Sequence, residues 1–471
     1  MKNFLNKVFK LEENQTTIKT EIIAGLTTFF AMCYIIVVNP NQMTGFEVMP
    51  EIWNACFVGG ILAAVIATLC MAFIANKPFA LAAGMGLNSF FFVSFILPAL
   101  LTGNYSPEQG YKAGLAVILI SGLVFLVLSL TGVRKYLAYN LPQCLKTAIP
   151  AGIGLFIAFI GFQNCGLVVP NQYTGVGIVD FTQGASVAVP AIIGLLGFIL
   201  VLVLSNVNNK YIKSTSMILS ILACTVLYYL CVLIFQLDVN ITTTSLKDSF
   251  SDWAELGLAG AFEGLGLVFN GGILGSIFSV IMLVITYCLV DMFDTLGTLY
   301  GASAEAGLLD ENGDPIGLEK EMLCDSIGTV VGAVVGTSTI TTFVESSAGV
   351  AAGGRTGLSS VVTALLFLLC LFIAPLAQYV PSCATAPALI YVGLLMCKNI
   401  LNIDFKDVRS AATGFITFLM MVVTYSISNG IMLGAITYVI ITLLTGKYTK
   451  KDIIVTIIAV LGILRFAFIA M

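Results

Sequence analysis

Three acidic residues, Asp291, Asp294 and Glu345, stand inside strongly apolar stretches of this chain. An ionised carboxylate at the centre of a membrane-spanning helix costs about 2.5–3.5 kcal/mol on insertion scales, so an acid there is by default a functional-site hypothesis. Asp291 and Asp294 are one helical turn apart, and two close carboxylates resist double ionisation, which suits the uptake and release of a proton. These acids indicate a route for a polar solute, although Asp294 could instead brace a neighbouring half-helix.

Glu345 follows a polar stretch, 337–342, that is rich in threonine. The β-branched residues of 337–343 make a poor membrane helix and predict a short extended piece. Extended backbone at membrane depth must be buried in protein or line a cavity. Two half-helices beginning near Ala83 and Glu345 would then direct their N-terminal N–H groups at that cavity. The alternative for Glu345 is a capping acid with no ligand.

A matching interrupted segment occurs in the first half of the chain, at 78–90, and it contains Asn88. Interrupted hydrophobic segments at corresponding positions of two halves point to the binding site of a transporter. Asn88 offers a donor and an acceptor to a ligand, but an asparagine that joins two helices is the alternative. Phe90 and Phe343 flank these polar positions and could stack on a planar ligand, or could simply be packed.

The composition defines the class of protein, because 58% of the residues are hydrophobic, 10% are charged and the mean hydropathy is +1.02. These values exclude a soluble globular domain and predict a protein embedded in the lipid bilayer. No basic stripe is present, so no nucleic-acid partner is expected. Histidine is absent and no CxxC pair occurs, so we expect no metal site and no cofactor.

Hydropathy predicts a polytopic, essentially all-α membrane protein of about fourteen spans. Most Lys and Arg residues fall on one side when the N-terminus is cytoplasmic, as the positive-inside rule requires. A further apolar stretch, 452–469, could cross the membrane or lie in its interface. The predicted spans are 21–38, 54–75, 78–100, 112–131, 144–163, 186–205, 213–236, 271–300, 326–338, 339–354, 358–379, 382–397, 409–427 and 429–446.

Several segments resemble the AzgA-like purine permeases, which carry adenine, guanine or hypoxanthine and belong to the nucleobase/cation symporters. The resemblance spans nearly the whole chain, and its most specific parts are the two segments that contain the intramembrane acids. The similar segments are DMFDTLGTL at 291–299, TTFVESSAGVAAGGRTG at 341–357, AGMGLN at 83–88, TEIIAGLTTFFAM at 20–32 and ATAPALIYVG at 384–393.

The resemblance implies two inverted seven-span repeats, with extended pieces in spans 3 and 10, and a core domain that moves against a gate domain in an elevator-type cycle. It implies purine uptake by proton symport, with Na⁺ less expected, in a bacterial inner (plasma) membrane, and pairing of two chains through the gate. The implied arrangement is a cytoplasmic N-terminus at 1–20, core segments 21–131 and 271–379, and gate segments 144–236 and 382–471.

By the same resemblance, Asp291, Glu345 and Asn88 are expected to bind the base, with Phe343 and Phe90 beside it. Protons would be carried by Asp291, Asp294 and Glu345. Related symporters can have a histidine one turn after the acid of span 8, where this chain has Asp294 and Thr295. Coupling must therefore be carried differently here.

Three rival functions can be weighed against purine transport. An anion transporter or channel of the same architecture would use half-helix N-termini, but the site acids would repel its ligand. A membrane enzyme would need a nucleophile–base pair or a metal cluster, and the sequence contains no recognisable one. A scaffold would have no use for costly acids in interrupted spans.

Overall fold

The chain is described by a computed structural model, which covers residues 2–44, 49–132, 141–171, 174–237, 245–269, 273–275, 277–306, 309 and 315–468. Within these residues, ten helical segments are long and apolar enough to cross a membrane, and further apolar helices are shorter. The chain is thus a mostly helical, polytopic membrane protein. The finer count of fourteen spans and the inverted repeats stay predictions.

Among the described residues up to 252, there are twelve α-helices and three short strands. In order, they are α1 (Lys2–Phe9), α2 (Ile18–Met32), α3 (Ile35–Thr44), α4 (Pro50–Cys70), β1 (Leu81–Ala83), α5 (Met85–Phe91), α6 (Leu97–Thr102), α7 (Pro107–Leu130), α8 (Gln143–Asn164), β2 (Val168–Asn171), β3 (Gly175–Ile178), α9 (Ala185–Ser205), α10 (Lys210–Ser214), α11 (Ser216–Phe235) and α12 (Leu246–Asp252). Short π-helical turns follow α4, α5 and α12 at Met71–Ala75, Phe92–Ile96 and Trp253–Gly257.

The described residues from 260 onward form further α-helices and one named strand. They are α13 (Gly260–Phe269), α14 (Ile277–Ala306), α15 (Leu318–Val335), β4 (Ile340–Thr342), α16 (Ser346–Ala351), α17 (Gly357–Leu369), α18 (Ala374–Ala377), α19 (Ser382–Cys397), α20 (Val408–Val423), α21 (Ile427–Leu444) and α22 (Ile453–Phe468). The last helix coincides with the terminal apolar stretch seen in the sequence.

The two interrupted segments meet in the interior as an antiparallel pair of strands. β1 pairs with β4, with Leu81 opposite Thr342 and Ala83 opposite Ile340. Both strands are fully buried, and the half-helices α5 and α16 begin just after them. The extended pieces and the nearby half-helix starts expected from the sequence are therefore present.

Threonines on two long helices satisfy the outward-facing backbone groups of one residue in each strand. The Thr68 hydroxyl of α4 accepts the Leu81 N–H at 3.0 Å and lies 3.1 Å from the Leu81 carbonyl. The Thr329 hydroxyl of α15 accepts the Ile340 N–H at 3.3 Å, with the Ile340 carbonyl also 3.3 Å away. Each half of the chain thus supplies one long helix that braces its own strand, which meets the requirement that buried backbone groups be hydrogen-bonded.

Some predicted bounds differ from the helices observed. Helix α15 begins at Leu318, well before the predicted start at 326, and ends at Val335. The hydropathy of this stretch is low because it carries Glu321 and Asp325, yet both side chains are buried against polar partners, so the helix continues through them. The hairpin of β2 and β3 was not predicted, and neither were the helices α12 and α13. The fold is mostly helical rather than all-α.

The long helices pack in two groups. In one group α15 packs on α4 and α7, and α17 packs on α2 and α4. In the other group α8 packs on α19 and α20, α9 on α11 and α19, and α21 on α20 and α22. Helices α5 and α14 of the first group contact α8 of the second. A boundary between the two groups therefore runs beside the start of α5.

Substituting Thr68→Val should destabilise the fold, because it removes the hydroxyl that satisfies the Leu81 backbone in the buried strand pair. Each buried polar group left without a partner costs about 1–3 kcal/mol. The measurement is the midpoint of thermal unfolding in detergent. The matched control is Thr286→Val, since that buried hydroxyl donates to the Met282 carbonyl within its own helix. Equal midpoints for Thr68→Val and wild type would contradict this account of the strand pair.

Candidate functional site

A cavity lies at the boundary between the two groups of helices. Its volume is about 120 Å³, which is room for roughly ten waters at about 10–15 Å³ each. One wall is formed by the start of α5, by α14, and by β4 with the residues that follow it. The other wall is formed by α8, by α19 and by the turn that follows α19. The lining residues are Gly84, Met85, Gly86, Asp294, Thr298, Thr341, Thr342, Phe343, Val344 and Glu345 on the first wall, and Pro150, Ile157, Val392, Leu395, Met396 and Asn399 on the second.

Glu345 lines the cavity from the position immediately before α16, where it is only 8% exposed. The Tyr34 hydroxyl donates to its Oε1 at 2.6 Å, which orients the carboxylate. Its side chain does not accept a hydrogen bond from the first turn of α16. Glu345 is therefore not the capping acid that the sequence left open as an alternative, and its carboxylate keeps acceptor capacity for a ligand.

Asp294 also lines the cavity and is only partly buried. It lies close enough to Asp325 and Glu345 to interact with both electrostatically. Gly84 allows this approach, since a Cβ on residue 84 would lie 3.7 Å from the Asp294 Oδ2 and 3.2 Å from the Thr341 methyl group. The cavity thus has two acids on one wall, while the opposite wall is largely apolar.

Asp291 lies behind the cavity and is not among its lining residues. It is 1% exposed, and the Thr329 hydroxyl donates to its Oδ2 at 3.0 Å. One turn further along the same two helices, the Thr295 hydroxyl donates to Asp325 Oδ1 at 2.8 Å. These two Asp–Thr pairs join α14 to α15 and connect Asp291 to the hydroxyl that braces β4.

Asn88 is likewise fully buried outside the cavity lining. Its Nδ2 donates to Asn39 Oδ1 at 2.9 Å, and Asn39 Nδ2 donates to the Thr337 hydroxyl at 3.1 Å. The Asn88 amide therefore joins two helices, which is the alternative that the sequence analysis gave to ligand binding. Phe90 packs on Tyr287, with ring centroids 5.2 Å apart, whereas Phe343 lines the cavity.

The structure thus brings Glu345, Asp294 and Phe343 together around one cavity and leaves Asp291, Asn88 and Phe90 in the layer behind it. Sequence reasoning missed Tyr34 and Asp325. A signal for Asp325 existed, because DxxxT occurs at 291–295 and again at 325–329. Tyr34 lies far from Glu345 in the sequence, and no local pattern connects them.

Two acidic side chains, Asp294 and Glu345, line the cavity, and its described lining residues include no basic side chain. No cluster of three or more Cys, Asp and Glu residues in the described part of the chain could hold a metal ion. Such a site can accept hydrogen bonds from a neutral or cationic molecule and can bind protons.

The fold and this cavity define a polytopic membrane protein with an acid-lined internal site between two groups of helices. The chain belongs to the Permease family (Xan_ur_permease), whose model matches residues 19–433. It is 37% identical over 465 residues to the adenine permease AdeP of Escherichia coli strain K12, covering 99% of this chain and 96% of AdeP. It is 37% identical over 456 residues to the guanine/hypoxanthine permease PbuO of Bacillus subtilis strain 168, covering 96% of this chain and 98% of PbuO.

Among solved structures, the fold is similar to the transmembrane domain of the cyanobacterial bicarbonate transporter BicA. The TM-score is 0.63 at 15% identity, and the match covers 86% of this chain and 95% of the BicA domain. This likeness concerns the fold alone.

Proposed function

We propose that this chain transports purine nucleobases across the membrane and binds them in the cavity between the two helix groups. The observation that carries the proposal is the pair of carboxylates, Glu345 and Asp294, beside Phe343 in a cavity with a largely apolar opposite wall. The similar permeases are named for adenine, guanine and hypoxanthine. A neutral purine is planar and presents ring and exocyclic N–H donors, which carboxylates accept with charge-assisted strength.

In the proposed complex the N–H edge of the base faces Glu345, which Tyr34 holds in place. The ring lies against Phe343, and the apolar side chains of α8 and α19 cover its other face. Asp291 and Asn88 then act indirectly by holding α14, α15 and α3 around the site.

The variant Glu345→Gln should weaken binding, because a neutral amide accepts more weakly than a carboxylate and introduces its own donors. The variant Tyr34→Phe should also weaken it, because it removes the hydrogen bond that orients Glu345. A hydrogen bond to a charged group is worth about 1.5–3 kcal/mol, so we expect the affinity to fall about 10- to 100-fold in each variant. The assay is counterflow of radiolabelled hypoxanthine in proteoliposomes, with adenine, guanine, uracil and bicarbonate as competitors.

The matched control for this assay is Glu263→Gln, since Glu263 pairs with Lys112 at 2.6 Å in a surface ion pair away from the cavity. Wild-type counterflow by Glu345→Gln would contradict the proposed site. Competition by bicarbonate and none by purines would instead favour an anion transporter, the rival that shares this fold. The acids on the cavity wall argue against that rival, because an anion beside them would be repelled.

We further propose that uptake is coupled to protons through Asp294 and Glu345. A pair of nearby acids can share a proton that is bound with the substrate and released with it. An inward gradient of one pH unit should then sustain about tenfold accumulation of a neutral base per symported proton, since one pH unit corresponds to about a factor of ten in proton activity. Accumulation that follows an imposed Na⁺ gradient and ignores pH would contradict proton coupling.

An elevator-type cycle is proposed in which the helix group of α2, α4, α5, α7 and α14–α17 is the moving core and the group of α8, α9, α11 and α19–α21 is the gate. Gly86 of α5 is in close contact with the gate, since a Cβ on residue 86 would lie 2.7 Å from the Ile153 Cγ2 of α8. The purine would then move together with the core wall of the cavity, past the gate wall.

A reversible cross-link between these two positions tests the movement. In the double variant Gly86→Cys and Ile153→Cys, oxidation should stop transport and reduction should restore it, because the disulfide joins the two groups. The single variants, treated with the same oxidant, control for the native cysteines. Undiminished transport by fully cross-linked protein would contradict relative movement at this boundary.

The same proposal places the chain in a plasma membrane with its N-terminus in the cytoplasm, following the distribution of Lys and Arg. Apolar side chains on α9 and α11 are exposed, including Leu222, Val226 and Leu233. Lipid or a second copy of the chain would cover them, and a homodimer remains a prediction. The oligomeric state in native-like nanodiscs would decide between the two.

A further inference from the structure

A file of buried polar residues leads away from the cavity along one face of α15. Glu321, Asp325 and Thr329 are spaced four residues apart, so they lie above one another on the helix. Thr329 contacts β4 and Asp291, and Asp325 accepts from Thr295. The file continues to the end at which α15 begins, the end predicted to be cytoplasmic.

Glu321 is the least expected member of this file. Its side chain is fully buried, and it pairs with Lys77, whose Nζ lies 3.5 Å from Oε1. Among the described residues, neither carboxylate oxygen has a donor in hydrogen-bond geometry. On the same helix, Cys324 interacts electrostatically with Glu321, with Asp325 and with Cys70 at the end of α4.

Stability does not explain this buried pair. Replacing a buried ion pair by apolar residues of similar volume is often neutral or stabilising, because the desolvation of both charges offsets their attraction. A carboxylate that is buried and incompletely hydrogen-bonded is, however, suited to binding a proton transiently. The adjacent ammonium group of Lys77 favours the ionised form and hence release of that proton.

The file is present on only one of the two strand-bracing helices. On α15, the residues four and eight positions before Thr329 are Asp325 and Glu321. On α4, the residues four and eight positions before Thr68 are Ala64 and Gly60. A Cβ on Gly60 would lie 2.4 Å from the Asn39 Nδ2, so an amide occupies this place instead of an acid. Of these two helices, α15 is therefore the one that carries ionisable side chains in line with its strand-bracing threonine.

We propose that Asp325 and the Glu321–Lys77 pair form the exit by which the symported proton leaves the cavity for the side on which Lys77 lies. The proton passes from the carboxyl of Asp294 to the carboxylate of Asp325, and then to the carboxylate of Glu321. Glu321 transfers it to water at the Lys77 end, and each donor returns to its carboxylate form. Lys77 stays protonated throughout. This inference rests on the proposed proton-coupled transport.

The experiment compares counterflow with proton-driven accumulation for Glu321→Gln in proteoliposomes. Counterflow of hypoxanthine at equal pH on both sides exchanges loaded carriers and needs no net proton release. Glu321→Gln should keep this exchange, while its accumulation under one pH unit of gradient should fall from about tenfold to about onefold. Glu263→Gln, in the surface pair with Lys112, should behave as wild type in both assays.

Accumulation by Glu321→Gln equal to that of wild type would overturn the proposal. Loss of both activities in this variant could result from the buried charge of Lys77, which no longer has an acidic partner. The double variant Lys77→Met, Glu321→Gln removes that charge and is measured in the same two assays. Retained counterflow without accumulation in the double variant supports the exit, whereas restored accumulation or loss of both activities shows that the pair only braces the fold. Absence of counterflow in wild type would instead contradict the proposed function.

Discussion

The rest of this structure depends on one constraint, the need to satisfy the backbone of two short strands buried at membrane depth. β1 and β4 pair with each other in antiparallel register, and the hydroxyls of Thr68 and Thr329 accept the outward-facing N–H groups of Leu81 and Ile340. The half-helices α5 and α16 begin just after the two strands end. The non-helical backbone between each strand and its half-helix would be costly in contact with lipid, and here it lines the cavity instead. The strand pair therefore sets where Glu345 and the start of α5 lie.

The acids of the interior are divided between this cavity and the layer that supports it. Glu345 and Asp294 lie on the cavity wall, while Asp291 and Asp325 are engaged by threonines of the facing helix. An acid that accepts a hydroxyl from the next helix stabilises their packing, and an acid on an open wall keeps acceptor capacity for a ligand. The two roles are linked, since the hydroxyl that reaches Asp291 also holds β4, from which Phe343 and Glu345 continue.

Much of this arrangement could be predicted from residue types. The threonine-rich segment before Glu345 predicted an extended piece from its β-branched residues, the family resemblance implied a second one in span 3, and both are present. Which of Asp291 and Asp294 faces the cavity could not be predicted, because residues one turn apart share a helix face and the rotation of α14 depends on its packing against α15. Asp325 was missed because it lowers the hydropathy that identifies a span, and Tyr34 because its contact with Glu345 joins distant parts of the chain.

The central claim is that a purine base occupies the cavity between the two helix groups. The most direct test is the structure, by electron cryomicroscopy, of the chain in nanodiscs with saturating hypoxanthine. The account predicts density for the base with its N–H edge within hydrogen-bond distance of Glu345 and its ring against Phe343, between α5 and α19. Density for the base elsewhere, with this cavity filled only by water, would contradict it.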